Sequence, residues 1–277
     1  MAGAMPLLYW GRAMLSKLYV NGFSCLTADA QPEELAPFVE VRSLRRAEQI
    51  SKNALLCACR ALAHAKLEKT DQANMGISMA IGAGALGSTL KFMDSIIEDG
   101  DELSSPTAFA SSVHNSVALL LSMFLHIKGP CVITGQLDSS FAGALLTAQQ
   151  FLTHKMCSQV LVVLTEDVNP LLTQQIQKDS KVFDPLIYQP QATATRVAGA
   201  LVVSAAPTQT TQFVLDKVQL SRTDDVTTHS QPQLPICSCA HSLLLLDKYL
   251  KENVSFSMRE QFAGTILHIE GKPYVLA

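Results

Sequence analysis

Residues Gly129–Leu145 read GPCVITGQLDSSFAGAL. The Gly129-Pro130 pair interrupts whatever precedes it, and Cys131–Thr134 is a short run rich in β-branched side chains, the composition of a strand. From Ser139 to His154 the pattern turns helical. The stretch therefore predicts a strand entering a helix through a sharp elbow, Gly135-Gln136-Leu137-Asp138-Ser139-Ser140. Immediately upstream, Asn115–Ile127 reads NSVALLLSMFLHI, apolar on almost every face, which predicts a central helix buried all round.

Outward from the elbow the same alternation continues. Leu18–Asn21 predicts a first strand, with a loop from Gly22 to Val41. Across Ser43–Ala65, Leu44, Ala47, Ile50, Ala54, Leu55, Ala58, Leu62 and Ala65 recur at helical spacing, predicting one long helix. Gly76–Ile81 predicts a strand, Gly87–Glu98 a helix and Asp99–Ser105 a turn. Gln159–Thr165 lacks any polar alternation, as a strand buried on both faces does. Strands alternating with helices give an α/β fold, a mixed, mostly parallel sheet sandwiched by helices.

Beyond Pro170 the texture changes. Leu171–Lys178 predicts a helix, Asp184–Thr195 is irregular, and Ala198–Ala205 with Phe213–Leu220 predict a strand pair across Pro207. Ser221–Pro235 reads as a polar loop, Ala240–Lys251 as a helix, and Gly264–Ile269 with Tyr274–Leu276 as a hairpin around Gly271. The division that follows is an N-terminal extension (1–17), a main α/β domain (18–205) and a reduced C-terminal segment (206–277) of strand, helix and hairpin packed on the same core.

The chain has 277 residues, 48% of them hydrophobic, enough for a sizeable core. A net charge of -3 leaves no basic patch for nucleic acid. The longest apolar run, Val117–Ile127, includes Ser122 and His126 and is too short for a bilayer span. Seven cysteines include two Cys-x-Cys pairs, Cys57/Cys59 and Cys237/Cys239, but no spaced histidines complete a metal site. Reduced, mostly buried thiols in a cytoplasmic protein are the expectation. Gly82-x-Gly84-x-x-Gly87 has the spacing of a dinucleotide fingerprint, yet the acidic residue that should hold a ribose, Asp101, falls in a turn. A tight strand-to-helix turn accounts for these glycines, and no cofactor is expected.

Ser105-Pro106, Phe109, Ser112-Val113, Asn115 and Gly129-Pro130 fall in one order before the elbow strand. In this the chain resembles the ketosynthase branch of the thiolase-like superfamily over roughly residues 18 to 205. The likeness includes Arg45-Arg46, the Gly82–Gly87 turn, Val160–Asp167 and Ala198–Leu201. It implies the N-terminal half of a thiolase-like fold, with a tail after Pro207 too short to supply the second half.

In the family the elbow carries a cysteine, where a helix N-terminus and nearby donors stabilise thiolate and oxyanion. Counted from Gly129, that place falls on Asp138, which can cap a helix but cannot form a thioester. Cys131 lies at the other end of the strand. The two histidine motifs that drive decarboxylation in the family are missing, and His114 and His126 read as helix packing or surface residues. The resemblance thus implies a non-catalytic subunit similar to the chain-length factors of type II polyketide and aryl polyene synthesis. Its partner would be an intact ketosynthase, with an acyl carrier protein reached through the complex.

Cys131, Val132, Ile133, Thr134 and Gly135 would form the interface, and Phe109, Ser112 and Val113 the end of an acyl tunnel. Two other readings stay open. One is an acyl-thioester enzyme of altered chemistry using Asp138 as base or Ser139 as nucleophile; the other is an interaction protein that reuses the fold.

Overall fold

A computed structural model describes residues 17–136, 139–167, 196–222, 238–262 and 265–275. The strand whose sequence shows no alternation, β4 (Gln159–Asp167), lies inside the sheet and feeds two cores. Val160, Val162 and Leu164 enter one, Leu161 and Val163 the other. Eight strands form one sheet in the order β3-β2-β4-β5-β1-β6-β8-β7. Here β1 is Leu18–Leu26, β2 Gly76–Ala80, β3 Cys131–Thr134, β5 Arg196–Ser204, β6 Phe213–Arg222, β7 Phe256–Phe262 and β8 Thr265–Pro273. β2 runs parallel to both β3 and β4, β5 is antiparallel to β4 and β1, and the remaining pairs are antiparallel. The mixed, two-sided sheet expected from the sequence is what forms, but it is not mostly parallel: five of its seven described pairs are antiparallel, because β1 and the strands from β5 onward run against their neighbours.

Short helices α1 (Pro32–Leu35) and α3 (Lys69–Gln72) flank the long α2 (Gln49–His64). With α6 (Ser116–Leu125), α2 covers one face of the sheet, burying Ile50, Ala54, Leu55, Ala58, Val117 and Leu121. α7 (Ser140–Thr153) and α8 (Ser238–Glu252) cover the other, where Phe141, Leu145, Leu243 and Leu246 meet β1, β4, β5 and β6. β6 pairs with β1 and α8 shares the core of α7, so the chain after residue 206 continues the same sheet and the same layer. Hydroxyls pin both layers: Ser78 Oγ donates to the Ala144 carbonyl at 2.7 Å and Thr165 Oγ1 to that of Ile50 at 3.2 Å.

Several boundaries differ from expectation. β1 extends to Leu26, and the single helix predicted over Ser43–Ala65 is two elements, a 3-10 turn at Val41–Leu44 and then α2. Leu44 and Ile50 would stand about 120° apart on one continuous helix. Both reach the same core because Glu48, at φ -66 and ψ 157, restarts the chain in extended geometry. α4 (Leu86–Asp99) forms close to where the spacing placed it. α5 (Pro106–Ser112) was not anticipated: Pro106 opens it and Ser105 Oγ caps it by accepting from Ala108 N–H at 3.2 Å.

At the C-terminus the hairpin is β7 with β8, and Gly271 lies within β8 rather than at a turn. A methyl there would sit 2.9 Å from the Phe256 ring, so the glycine serves close packing. The predicted segments Leu171–Lys178 and Asp184–Thr195 lie outside the described residues, as does Leu276. Of the loop expected over Ser221–Pro235, Ser221 and Arg222 belong to β6 and the rest is outside the described residues. Among the described residues no single helix is long and apolar enough to cross a membrane; α5 and α6 meet at 87°.

Gly22 is where β1 crosses the end of α2. A methyl on it would lie 2.2 Å from the Ala61 carbonyl oxygen and 2.7 Å from the Ala65 nitrogen, both backbone atoms. Gly22→Ala is expected to cost about 1–3 kcal/mol and lower the thermal midpoint by roughly 5 °C, which a calorimetric or circular-dichroism melt checks.

Candidate functional site

The carboxyl ends of β2, β3 and β4 converge, the place where open α/β sheets hold ligands. β3 ends at Thr134, Gly135 and Gln136 turn the chain, and Ser139, at φ -86 and ψ 2, stands at the start of α7. Ser140 is fully buried and stitches the elbow together. Its hydroxyl accepts from Gln136 N–H at 2.8 Å and donates to the Ile81 carbonyl at 3.3 Å, tying α7 to the end of β2. Gly143, one turn along α7, lets the helix close on Thr134: a methyl there would lie 2.5 Å from Thr134 Cγ2.

Two residues that the sequence spacing did not connect with the elbow complete this end of the sheet. The His114 ring, on the corner between α5 and α6, lies against both the β2–α4 turn and the elbow. A methyl on Gly84 would come 2.8 Å from its Nε2, and one on Gly135 3.3 Å from its Cδ2. Gly84 also has φ +77, so glycine is required there twice over. Of the two readings given for His114, helix packing or surface, its exposure fits the second, with the ring lying against the elbow. Glu166, 1% exposed, accepts from the Gly82 N–H and, at 3.3 Å, from the Ala83 N–H. The backbone donors of the glycine-rich turn, which would cradle a phosphate in a dinucleotide site, are thus engaged by a carboxylate from β4. A hydrophobic strand ending Thr-Glu-Asp was the available signal for Glu166: an acid so close to a buried strand needs donors.

Beside it, Arg196 at the start of β5 holds Asp29 with Nη1 at 2.8 Å, and its Nε stands 3.3 Å from Asp167 Oδ1 without hydrogen-bond alignment. Burial raises the Asp167 carboxyl above the usual aspartate range, with the Arg196 charge opposing the shift.

Of the elbow candidates, Asp138 lies outside the described residues. Ser139 is partly exposed, and none of its hydrogen bonds among the described residues reaches a histidine. Cys131 begins β3, three residues or about 10 Å from the elbow end of the strand. No cysteine lies in the sequence between Cys131 and Cys157. The described thiols are all raised by burial, Cys57 and Cys59 to about 12, so each stays protonated at neutral pH and none offers a ready thiolate. Of these, Cys57 and Cys59 are buried and Cys131 is exposed. No cluster of metal-ligating side chains occurs among the described residues. A cavity of about 780 Å³ between Asn74, Lys128, Lys155, Gln159 and Thr208 opens at the amino ends of the strands, away from the elbow.

Phe109, Ser112 and Val113 sit on α5 and at its end. Phe109 packs its ring 5.3 Å from that of Phe92 while remaining 54% exposed, Val113 is also exposed, and Ser112 Oγ donates to the Phe109 carbonyl at 2.8 Å. Phe109 does not fill this chain's core. β3 occupies one margin of the sheet and, among the described residues, pairs only with β2.

A family profile described as β-ketoacyl synthase, N-terminal domain, matches residues 24–262. Among solved structures, a chain of the AntDE:AntF complex, a type II PKS acyl-carrier protein with its ketosynthase bound to the hexaketide, superposes with a TM-score of 0.71 at 12% identity. The match spans 93% of this chain and 99% of that one. A chain of the ketosynthase ApeO in complex with its chain length factor ApeC, from Xenorhabdus doucetiae, gives 0.60 at 17% identity over 92% and 99%. A β-ketoacyl synthase from Burkholderia phymatum STM815 gives 0.66 at 11% over 94% and 100%. At these identities the likeness is one of fold. Comparison with curated protein sequences gave no match.

Two measurements check this geometry. Glu166→Ala is expected to lower stability by about 2–3 kcal/mol in denaturant unfolding, because it strands the buried Gly82 N–H and the partly buried Ala83 N–H. At pH 8 a maleimide should modify Cys131 well before Cys57 or Cys59, as peptide mass spectrometry would show.

Proposed function

We propose, from the premise that this chain belongs to the β-ketoacyl synthase N-terminal domain family, that it is a non-condensing, chain-length-factor-like subunit. It would pair with a catalytically complete ketosynthase in cytoplasmic polyketide or fatty-acid chain building, with aryl polyenes among the candidate products. The observation that carries this reading is the uncovered margin of the sheet. Among the described residues β3 is hydrogen-bonded on one side only, and Val132 on it is 40% exposed. On α6, Leu119 and Met123 are 60% and 63% exposed, one turn apart on a single face. An open strand edge and an outward apolar helix face are liabilities in a lone subunit and assets in a paired one.

In this assembly Cys131, Val132, Ile133, Thr134 and Gly135 meet the partner. Phe109, Ser112 and Val113, on a helix whose side chains stay outside this chain's own core, form the far wall of the partner's acyl tunnel. Residues 18–205 act as the ketosynthase-like half and 206–277 as its shortened continuation. The absence of any cysteine from 132 to 156, together with Asp138 at the elbow position, supports a role without acyl transfer. The matched complexes, which include a ketosynthase with its chain length factor and a ketosynthase with an acyl-carrier protein, are consistent with such partners.

Co-expression with an intact ketosynthase from the same gene neighbourhood tests the proposal. The expected product is a stable heterodimer by light scattering, and Leu119→Asp with Met123→Asp should weaken it at least about 100-fold by burying two charges. Mass spectrometry after incubation with acyl carrier thioesters should find no acyl group on this chain. A well-behaved monomer that binds no ketosynthase, or an acylated Ser139, would contradict it.

A further inference from the structure

From Thr89 to Ser116 not one residue is buried, although the segment contains Leu90, Phe92, Met93, Ile96, Ile97, Leu103, Phe109 and Val113. α4 and α5 pack on each other, Phe92 against Phe109, and Ser95 Oγ accepts from Ser105 N–H at 3.0 Å to close the pair into an arm. Its tip is Gly100, at φ 80 and ψ 171, a conformation open only to glycine, and a methyl there would meet nothing within 4 Å. The tip therefore stands clear of the body. Ile97 and Leu103 flank it, 75% and 73% exposed, and Met93 continues the same helix face one turn back at 51%.

An apolar arm held in water needs a cover. The charges around it state what kind. Asp94, Glu98, Asp99, Asp101 and Glu102 are all exposed, and among the described residues none joins an ion pair. The arm's one lysine, Lys91, pairs back to Glu48 on the body at 3.6 Å. Through α5 the arm also adjoins α6, whose outward face is assigned to the ketosynthase subunit.

We infer that the tip of the arm, Ile97–Leu103, is a docking element for that companion subunit, which meets it with a lysine- or arginine-bearing surface around an apolar depression. The inference rests on the pairing proposed above and adds to it a separate contact with its own chemistry. Unpaired acids on a projecting tip steer encounter with a basic surface, whereas Ile97 and Leu103 hold the contact once made.

The test measures association and dissociation rates with the intact ketosynthase from about 50 to 500 mM salt, a range that collapses the Debye length. Three chains are compared: the natural one, one carrying Glu98→Gln, Asp99→Asn, Asp101→Asn and Glu102→Gln, and one carrying Ile97→Ser and Leu103→Ser. All substitutions are solvent-exposed, and equal melting temperatures verify folding. The natural chain should associate about tenfold more slowly at high salt; the neutralised one should be about tenfold slow throughout, with a flat salt response. The serine variant should keep the association rate and dissociate about tenfold faster. A complex that forms with unchanged rates and salt slope in both variants overturns the docking tip and leaves the pairing intact. If the natural chain binds no ketosynthase, the pairing falls and the docking tip with it.

Discussion

A strand bonded, among the described residues, on one side only sets the terms for the rest of this molecule. The carbonyls of Pro130 and Thr134 accept from Ile77 and Ile81 N–H at 2.8 and 3.1 Å, so the even-numbered residues of β3 face β2. By the alternation of a strand, the backbone groups of Cys131 and Ile133 face away from it, towards an edge that no described residue covers. Natural sheets blunt such edges with charge, proline or bulges, and β3 has none of these within its four residues. α6, which packs on α2 and β2, and α5, which adjoins it, keep Phe109, Leu119 and Met123 outside the core.

The elbow inherits its shape from that strand. Thr134 must end where α7 can begin, and Ser140, Gly143 and the Ser78–Ala144 hydrogen bond hold helix and strands in register. Glu166 does the same for the β2–α4 turn by satisfying its backbone donors from β4. The corner so held joins β3 to α7, and the sequence across it carries an acid and two serines.

Much of the fold was legible in the sequence because single segments announce themselves. The unalternating Gln159–Thr165 reports burial through composition alone, and the Gly129-Pro130 break before Val132 and Ile133 marks a strand; the apolar Asn115–Ile127 marks a helix but is not buried all round, since Leu119 and Met123 stand outside the core. The break at Arg45–Glu48 was not legible, since Leu44 and Ile50 fit a helical spacing on paper and only the shared core forces them onto one side. Gly271 resembled a turn because glycine serves turns and close contacts alike; Phe256 decides between them. At the site, the elbow could be counted from Gly129, but His114 and Glu166 could not be placed there. Their roles come from contacts between segments about 20 to 85 residues apart, His114 with Gly135 and Glu166 with Gly82, which no local pattern encodes.

Amide hydrogen exchange across Cys131–Thr134, in the free chain and with an intact ketosynthase, addresses the open edge directly. The Cys131 and Ile133 amides should exchange rapidly in the free chain and gain protection of at least about tenfold on binding, as new strand pairing would give. Unchanged exchange at both amides in a formed complex, or full protection already in the free chain, would contradict the view that β3 is an edge waiting for a partner.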